Sequence, residues 1–364
     1  MKKLLLRSIP IIMLAVAIVA IQMACSRFDR PYYLTQLIMS AYYSIVVLGL
    51  VLVMGYCGQI SLGHGAFFAI GGYTSAILTT TSFDGLRNTP WHGWLQRLGI
   101  LNEWKNLYGA DILAFSPTAA FVAAMILTIA VSLLIGWPAL RLKGHYLAMA
   151  TLGFGLIVYR LLLGSSFTGA ADGITGVPGW KICEGLVICS NNAVRIGNYY
   201  FAWGLALVLL VLLLNLVHSR TGRAMRSIHE GELAANAMGI NTAGHKLQAF
   251  VISAVLAAAA GCFFTHYAGG IGPSDAGAMK SVRYVALVAA GGMANLWGGL
   301  IVSAVLNFLS LRGVFGEFDH AVFGIILIAI IALAPEGPLK PIAAFARTVF
   351  SKLVAIRRPS HGAA

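Results

Sequence analysis

Long apolar runs separated by short polar stretches dominate the chain. They lie at about 9–24, 33–54, 64–80, 117–137, 145–163, 199–217, 247–267, 282–293, 298–311 and 319–334. Most are close to the length of about 20 residues at which an α-helix crosses the hydrocarbon core of a bilayer. The runs at 282–293 and 298–311 are shorter, and we expect them to be half-helices of a re-entrant or broken element. The pattern predicts an all-α polytopic membrane protein with about eight to ten transmembrane helices.

Composition excludes most other classes of protein. Of the 364 residues, 59% are hydrophobic and 10% are charged, whereas a soluble domain carries about 25% charged residues. A soluble enzyme, a disordered chain and a collagen-like chain are therefore excluded. The net charge of +13 is expected from basic loops beside a lipid bilayer and does not indicate a nucleic-acid partner.

The positions of the basic residues predict the orientation. With ten crossings and the N-terminus inside, the inside segments hold 14 Lys and Arg residues and the outside loops hold nine. Because cytoplasmic loops collect Lys and Arg, both termini are expected in the cytoplasm. This topology places Asp172, Asp275 and Lys280 in outside loops.

The beginning of the chain allows two interpretations. Its basic start and following apolar stretch fit either a signal peptide or a first transmembrane helix, and we favour an uncleaved helix. The chain then forms one transmembrane domain, with a first helix and short outer loop at 1–32, a core at 33–334 and a basic cytoplasmic tail at 335–364.

A Gly-rich stretch at 55–65 interrupts two apolar runs and contains the polar residues Gln59, Ser61 and His64. Glycine frees backbone polar groups, which are tolerated at membrane depth where they are buried in protein or line a cavity. The stretch therefore predicts either part of a transport pathway or a tight turn on the inner side that serves helix packing.

A second Gly-rich interruption, at 291–299, also lies between two apolar runs and carries one amide, Asn295. Interruptions at corresponding positions of two halves are a sequence indication of a transporter repeat. We therefore predict that Gln59, Ser61, His64 and Asn295 line a substrate pathway.

Other chemistry in the apolar segments is sparse. Ser61 and His64 are three residues apart, so they are within reach on a helix, but no orienting acid accompanies them as a catalytic site requires. His64 also lacks neighbouring ligands for a metal. We expect a neutral, hydrogen-bonded histidine, no catalytic residue and no metal or other cofactor in this chain.

An energy source is absent from the sequence itself. A phosphate-binding P-loop needs Gly-Lys before Ser or Thr, and no lysine of the chain follows a glycine. Transport driven by ATP therefore requires separate subunits that hold ATP and Mg. An ion-coupled secondary transporter, which works alone, is the alternative.

The inside loop at 218–246 contains a predicted short helix at about 228–239. Ser227 and Glu230 form a capping-box pattern, alanines favour helix, and Gly239 is a typical C-terminal residue. The helix either lies on the membrane surface or docks into a groove on a partner.

The outside loop at 164–198 begins with a Gly-rich stretch and contains Cys183 and Cys189. An oxidising compartment would allow a small disulfide-closed loop between them. The sequence cannot test the geometry that a disulfide requires, so the two cysteines are a possible pair.

Four motifs in order resemble those of the permeases of branched-chain amino acid ABC transporters, over about residues 33–334. They are the stretch from Gly55 to Phe67 with Gly71 to Tyr73, the stretch Leu140–Phe154, the loop Thr168–Gly176, and an EAA-like coupling motif in the inside loop. In the third motif, Ala170 stands where the family has glycine. In the fourth, Glu232, Ala234, Ala235 and Gly239 match, with Leu233 inserted.

The resemblance is strongest to the M-type permease of the pair. It implies a homologous H-type permease subunit, two ATP-binding cassette subunits and a periplasmic amino-acid-binding protein as partners, in the bacterial inner membrane. It also implies ATPase coupling through the EAA-like residues and an outer-loop role for Thr168, Asp172 and Gly173. Urea or short amides remain alternative substrates to leucine, isoleucine and valine.

Overall fold

The computed structural model describes residues 2–88, 92–105, 111–142, 144–183 and 185–313, together with 321, 324–325, 328–330 and 332. Its helices are α1 (Lys2–Arg27), α2 (Tyr32–Val51), α3 (His64–Thr80), α4 (His92–Arg97), α5 (Pro117–Ala139), α6 (His145–Gly164), α7 (Arg195–His218), α8 (Arg220–Glu230), α9 (Glu232–Ala237), α10 (Thr242–Ala268), α11 (Ala278–Gly291) and α12 (Leu296–Leu311). Its strands are β1 (Leu101–Lys105), β2 (Asp111–Phe115), β3 (Ile174–Thr175), β4 (Trp180–Cys183), β5 (Leu186–Ile188) and β6 (Gly270–Ile271).

The predicted helical membrane fold is confirmed. The first nine apolar runs form helices, and six helices among the described residues are long and apolar enough to cross a membrane. The tenth run, at 319–334, lies mostly outside the described residues, as does the predicted tail at 335–364.

The helix α2 and its continuation form the centre of the bundle. A π-helical turn, Leu52–Tyr56, extends α2, and this span is almost wholly buried. It packs against α12, where the hydroxyls of Ser44 and Ser303 are 2.8 Å apart. On another side it packs against α10, where a Cβ atom at Gly49 would lie 2.9 Å from the hydroxyl oxygen of Ser253.

The helices α3 and α10 run side by side in the same direction at very short separation. A Cβ atom on Gly71 would overlap the backbone of Ala258, and one on Gly261 would overlap the carbonyl of Phe68. The thiol of Cys262 donates a hydrogen bond of 3.1 Å to the carbonyl oxygen of Gly71. Small residues allow this close backbone approach, which is how helices gain contact energy inside a membrane.

The connections gather at two ends of the bundle. At one, which we call the hairpin end, β1 pairs with β2, β4 pairs with β5, and β3 pairs with β6. At the other, the α8–α9 end, lie α8, α9 and the chain interruption between α2 and α3. Because α10 joins the two ends and has 27 residues, they are about 40 Å apart.

The predicted single helix at 228–239 is wrong in its boundaries. The structure has two helices, α8 and α9, separated at Gly231, whose backbone is extended. The cap of α8 is Ser219, whose side chain accepts a hydrogen bond from the backbone N–H of Gly222. Ser227 lies inside α8 and donates to the carbonyl oxygen of Ala224, so the capping-box pattern did not mark a helix start. Gly239 does have the positive φ typical of a helix-ending glycine.

Candidate functional site

The two Gly-rich interruptions of the sequence meet in the structure. The hydroxyl of Tyr56 donates a hydrogen bond of 2.8 Å to the carbonyl oxygen of Ala294. A side chain at Gly55 would overlap the carbonyl of Met293. The glycine is therefore needed for close approach, and the end of α2 is held directly against the connection between α11 and α12.

His64 and Ser61 are buried in the first interruption and are in contact with each other. Ser61 Oγ lies 3.2 Å from His64 Nδ1, and His64 Nε2 lies 2.6 Å from Ser253 Oγ on α10. The imidazole packs edge-on against the rings of Phe67 and Phe250. These contacts attach the start of α3 to α10, and both nitrogens face hydroxyl groups instead of an orienting carboxylate.

The two predicted amides have different surroundings. Asn295 caps α12, since its side-chain oxygen accepts a hydrogen bond of 3.2 Å from the backbone N–H of Gly298. Gln59 is buried, yet neither atom of its amide has a hydrogen-bond partner among the described residues. Because an unpaired buried amide costs about 1–3 kcal/mol, Gln59 is the member of the set that most needs a further partner.

The helix α8 contacts the first interruption directly. Met225 and Ile228 are buried on its inner side, and a Cβ atom on Gly58 would lie 2.8 Å from Nδ1 of His229. Gly58 also has a positive φ of 67°, so two independent constraints favour glycine there. The helix α8 is therefore held directly against the chain between α2 and α3.

The helix α9 presents an apolar surface to its surroundings. Leu233 and the residue that follows the helix, Met238, are 78% and 82% exposed, and Ala234 is exposed between them. On the opposite side, Ala235 is buried, and Glu232 forms a 2.6 Å ion pair with Lys246 of α10. Of the four predicted coupling residues, Glu232 and Ala235 attach α9 to the bundle. Ala234 and Gly239 are exposed.

A cleft of about 560 Å³ lies beside α9. One wall is the end of α5 with Trp137, Leu140 and Arg141, and the other is formed by Glu232 and the start of α10. The exposed apolar side chains of α9 and this cleft together form a surface suited to a protein partner.

The predicted outer motif fixes the hairpin end. Thr168 is buried and donates hydrogen bonds to the carbonyl oxygens of Leu162 and Ser165. Gly173 has a φ of 71°, and a side chain there would overlap the backbone of Ile271. Asp172 is exposed. The motif holds β3 against β6 and therefore positions the chain that leads into α11.

The possible disulfide between Cys183 and Cys189 is not formed in the structure, where both cysteines are free. Cys183 lies opposite Leu186 next to the turn of the β4–β5 hairpin, whereas Cys189 follows Ile188 at its base. At about 3.3 Å per residue along a strand, this register separates the two beyond the Cα distance of about 7 Å that a disulfide allows.

One polar pair was wrongly placed by the sequence. Asp275 and Lys280, predicted in an outside loop, form an ion pair between a buried carboxylate and a partly buried lysine, and the Lys280 ammonium also lies 3.2 Å from the Tyr43 hydroxyl. Tyr43 is near the middle of the 25-residue span Tyr32–Tyr56. One feature of the sequence could have indicated this position inside the bundle. A Gly-Pro-Ser-Asp turn is followed within five residues by a lysine at the start of a short apolar run.

Comparison with known proteins gives a consistent family. The family model of branched-chain amino acid transport system permease components matches residues 32–331. The high-affinity branched-chain amino acid transport system permease protein LivM of Salmonella typhimurium is 31% identical over 83% of this chain and 68% of its own length.

Two further relatives are more distant. The permease protein LivH of the same organism is 25% identical over 85% of this chain and 96% of its own length. The fructose import permease protein FrcC of Rhizobium meliloti is 25% identical over 48% of this chain and 52% of its own length. No solved structure matches the chain. The family match and the likeness to LivM show that the chain belongs to the family of branched-chain amino acid transport permease components.

Proposed function

We propose that this chain is the M-type permease subunit of an ABC importer that carries leucine, isoleucine and valine across the bacterial inner membrane. Its partners are an H-type permease subunit, two ATP-binding cassette subunits and a periplasmic binding protein that delivers the amino acid. The family match and the likeness to LivM and LivH support this assignment. ATP and Mg bind to the cassette subunits, and this chain has no catalytic residue.

The observation that carries the proposal is a continuous series of contacts from α9 to both interruptions. The exposed face of α9 receives an ATPase subunit, and Gly231 joins α9 to α8. In α8, His229 contacts Gly58, and the end of the same α2 span contacts Ala294. Closure of the ATPase dimer therefore moves the two interruptions together and opens the pathway toward the binding protein docked at residues 165–194.

In this mechanism, the permease controls access and the binding protein supplies most of the selectivity. A ligand shifts the equilibrium between two conformations only by its difference in affinity for them. ATP bound by the partner supplies that difference through α9. Gln59, with its unpaired amide, is the predicted pathway residue with free capacity for cargo.

The test is to replace the exposed apolar residues of α9 with acids. The variant L233D/M238D removes an apolar docking surface without disturbing a buried contact, since both side chains are largely exposed. We expect loss of the ATPase subunits during purification and a fall in leucine uptake of at least about tenfold, as for hot-spot residues of an interface.

The matched control is Phe28→Asp, an equally exposed apolar residue at the opposite end of the molecule. It should retain the ATPase subunits and uptake. Retention of both by L233D/M238D would show that α9 is not the docking element.

The alternative of an ion-coupled secondary transporter makes a different prediction. It requires leucine accumulation in vesicles that contain this chain, an ion gradient and no ATPase subunits. We expect no accumulation of leucine under these conditions. Among the described residues, Asp275 is the one buried carboxylate, and it is already paired with Lys280.

A further inference from the structure

The ion pair between Asp275 and Lys280 lies inside the bundle beside three aromatic rings. The ammonium of Lys280 is 4.8 Å from the ring centre of Tyr43, 5.7 Å from that of Phe68 and 5.8 Å from that of Phe264. A carboxylate combined with aromatic faces is the arrangement that proteins use to bind ammonium ions. Here the chain's own lysine occupies it.

The pair lies at the start of α11, next to the first interruption. Asp275 lies in the turn Pro273–Ala276 that precedes α11, and Lys280 lies in the first turn of α11. The adjacent Ser281 accepts a hydrogen bond of 3.1 Å from the backbone N–H of Gly65, next to His64. The first interruption, residues 55–65, therefore contacts α8 at Gly58 and contacts Ser281, the neighbour of Lys280, at Gly65.

The surroundings contain unused hydrogen-bonding capacity. The ring of Tyr284 is 6.3 Å from that of Tyr43, and Tyr73 packs in one cluster with Ile271 and Ala276. Both Tyr284 and Tyr73 are almost fully buried, and neither hydroxyl has a hydrogen-bond partner among the described residues. Buried hydroxyls normally have a partner, so these two have hydrogen-bonding capacity to offer to a bound molecule.

The Lys280 side chain is 26% exposed and that of Asp275 is 10% exposed. Part of the Lys280 side chain is therefore exposed, although it lies beside Tyr43, midway along the span of α2. Separating a buried ion pair costs several kcal/mol when each charge is left alone. A molecule that brings one positive and one negative charge replaces both partners and avoids that cost.

We propose that Asp275 and Lys280 form a binding point for the zwitterionic head of an α-amino acid during translocation. The substrate carboxylate pairs with the Lys280 ammonium at the start of α11, where the helix dipole also favours a negative charge. The substrate ammonium takes the place of the Lys280 ammonium against Asp275 and the aromatic rings. When the substrate leaves, the internal pair re-forms. This inference rests on the proposed function and predicts that a neutral molecule such as urea binds poorly at this point.

The experiment uses the complete transporter in proteoliposomes, with ATP inside, binding protein outside and radiolabelled L-leucine as the probe. The variant D275N/K280M replaces the pair by neutral groups of similar size, and such replacements of a buried pair often preserve stability. We expect stimulated ATP hydrolysis to stay within about twofold of the unaltered protein and leucine uptake per ATP to fall at least about tenfold.

Two further variants keep the test decisive. Tyr43→Phe removes the hydroxyl bonded to Lys280 but keeps the ring, and it should lower uptake per ATP by about threefold without affecting assembly. The control D84N/R87Q removes an exposed ion pair at the hairpin end and should leave uptake per ATP unchanged.

The proposal is overturned if D275N/K280M transports leucine normally per ATP. If that variant does not assemble, normal leucine transport per ATP by Tyr43→Phe overturns it instead. A transporter that moves no leucine even without substitutions would instead contradict the proposed function.

Discussion

Single residues at the hairpin end show how closely backbone conformation is tied to residue type. Ala170 has a φ of 47°, next to Gly169 at 77° and close to Gly173 at 71°. The left-handed region costs a residue with a Cβ atom about 1–2 kcal/mol. Ala170 stands where the family resemblance expects glycine, so the sequence departure and the strained conformation coincide at one position.

We predict that Ala170→Gly stabilises the protein. Relief of the positive φ is partly offset by the greater chain entropy of glycine when unfolded, leaving a gain of about 0.5–1 kcal/mol. The measurement is the thermal unfolding midpoint of the purified chain. The neighbouring Ala171→Gly is the control, because Ala171 is exposed and lies outside the left-handed region, and it should destabilise. Equal behaviour of the two variants would contradict the argument.

The residues of the candidate site were predictable to different degrees. Ser61 and His64 are in contact, as a spacing of three residues on a helix would allow, but Ser61 precedes α3, which begins at His64, so the helical reason for the contact was wrong. Their third partner, Ser253, is 189 residues away from His64, and local pattern carries no information on such a pairing. Lys280 was misplaced because charge is a reliable indication of solvent exposure only when no partner is available inside.

At the scale of elements, most helices followed from hydrophobic runs, while their ends did not. The ten-run pattern located α2, α3, α5 and α6 within a few residues. The boundary between α8 and α9 depended on contacts of α8 with the bundle, which override a capping pattern. The sequence did not predict that the segment from β6 to α11 enters the bundle. That segment is positioned by the pairing of β6 with β3, which joins residues far apart in the chain, such as Ile174 and Ile271.

The close contact between α3 and α10 can be tested by substitution. Gly261→Ala should destabilise the protein by about 1–3 kcal/mol, because the added methyl group overlaps the carbonyl of Phe68 and forces two helices apart. Gly204→Ala on α7 is the matched control, since a Cβ atom there meets nothing within 4 Å. The control should be neutral or slightly stabilising, because alanine favours helix over glycine. The check is the unfolding midpoint of each variant, and a stable Gly261→Ala would show that the two helices can separate at little cost.

At the scale of the whole molecule, the proposed mechanism needs the hairpin end and α9 on opposite sides of the membrane. The 27-residue helix α10 separates β6 from α9 by about 40 Å, more than the hydrocarbon thickness of about 30 Å. Basic residues predict that α9 faces the cytoplasm, where ATP is available. An orientation with α9 in the cytoplasm and the hairpin end outside therefore agrees with the distribution of basic residues. It also places the docking surface where ATP is available and the hairpin end where cargo is delivered.

Labelling with a membrane-impermeant maleimide in intact cells tests this arrangement. Cys183 is free and exposed at the hairpin end, so it should react from outside without prior reduction, in a background where Cys25 and Cys189 are replaced by serine. A cysteine introduced by Leu233→Cys, in a background where Cys183 is also replaced by serine, should react only after the membrane is opened, because that position is exposed on α9. Labelling of Leu233→Cys in intact cells would invert the topology and remove the ATPase docking role of α9. If Cys183 in the native chain reacted only after reduction, it would form a disulfide with Cys189. That result would contradict the register of the β4–β5 hairpin, which keeps the two cysteines apart.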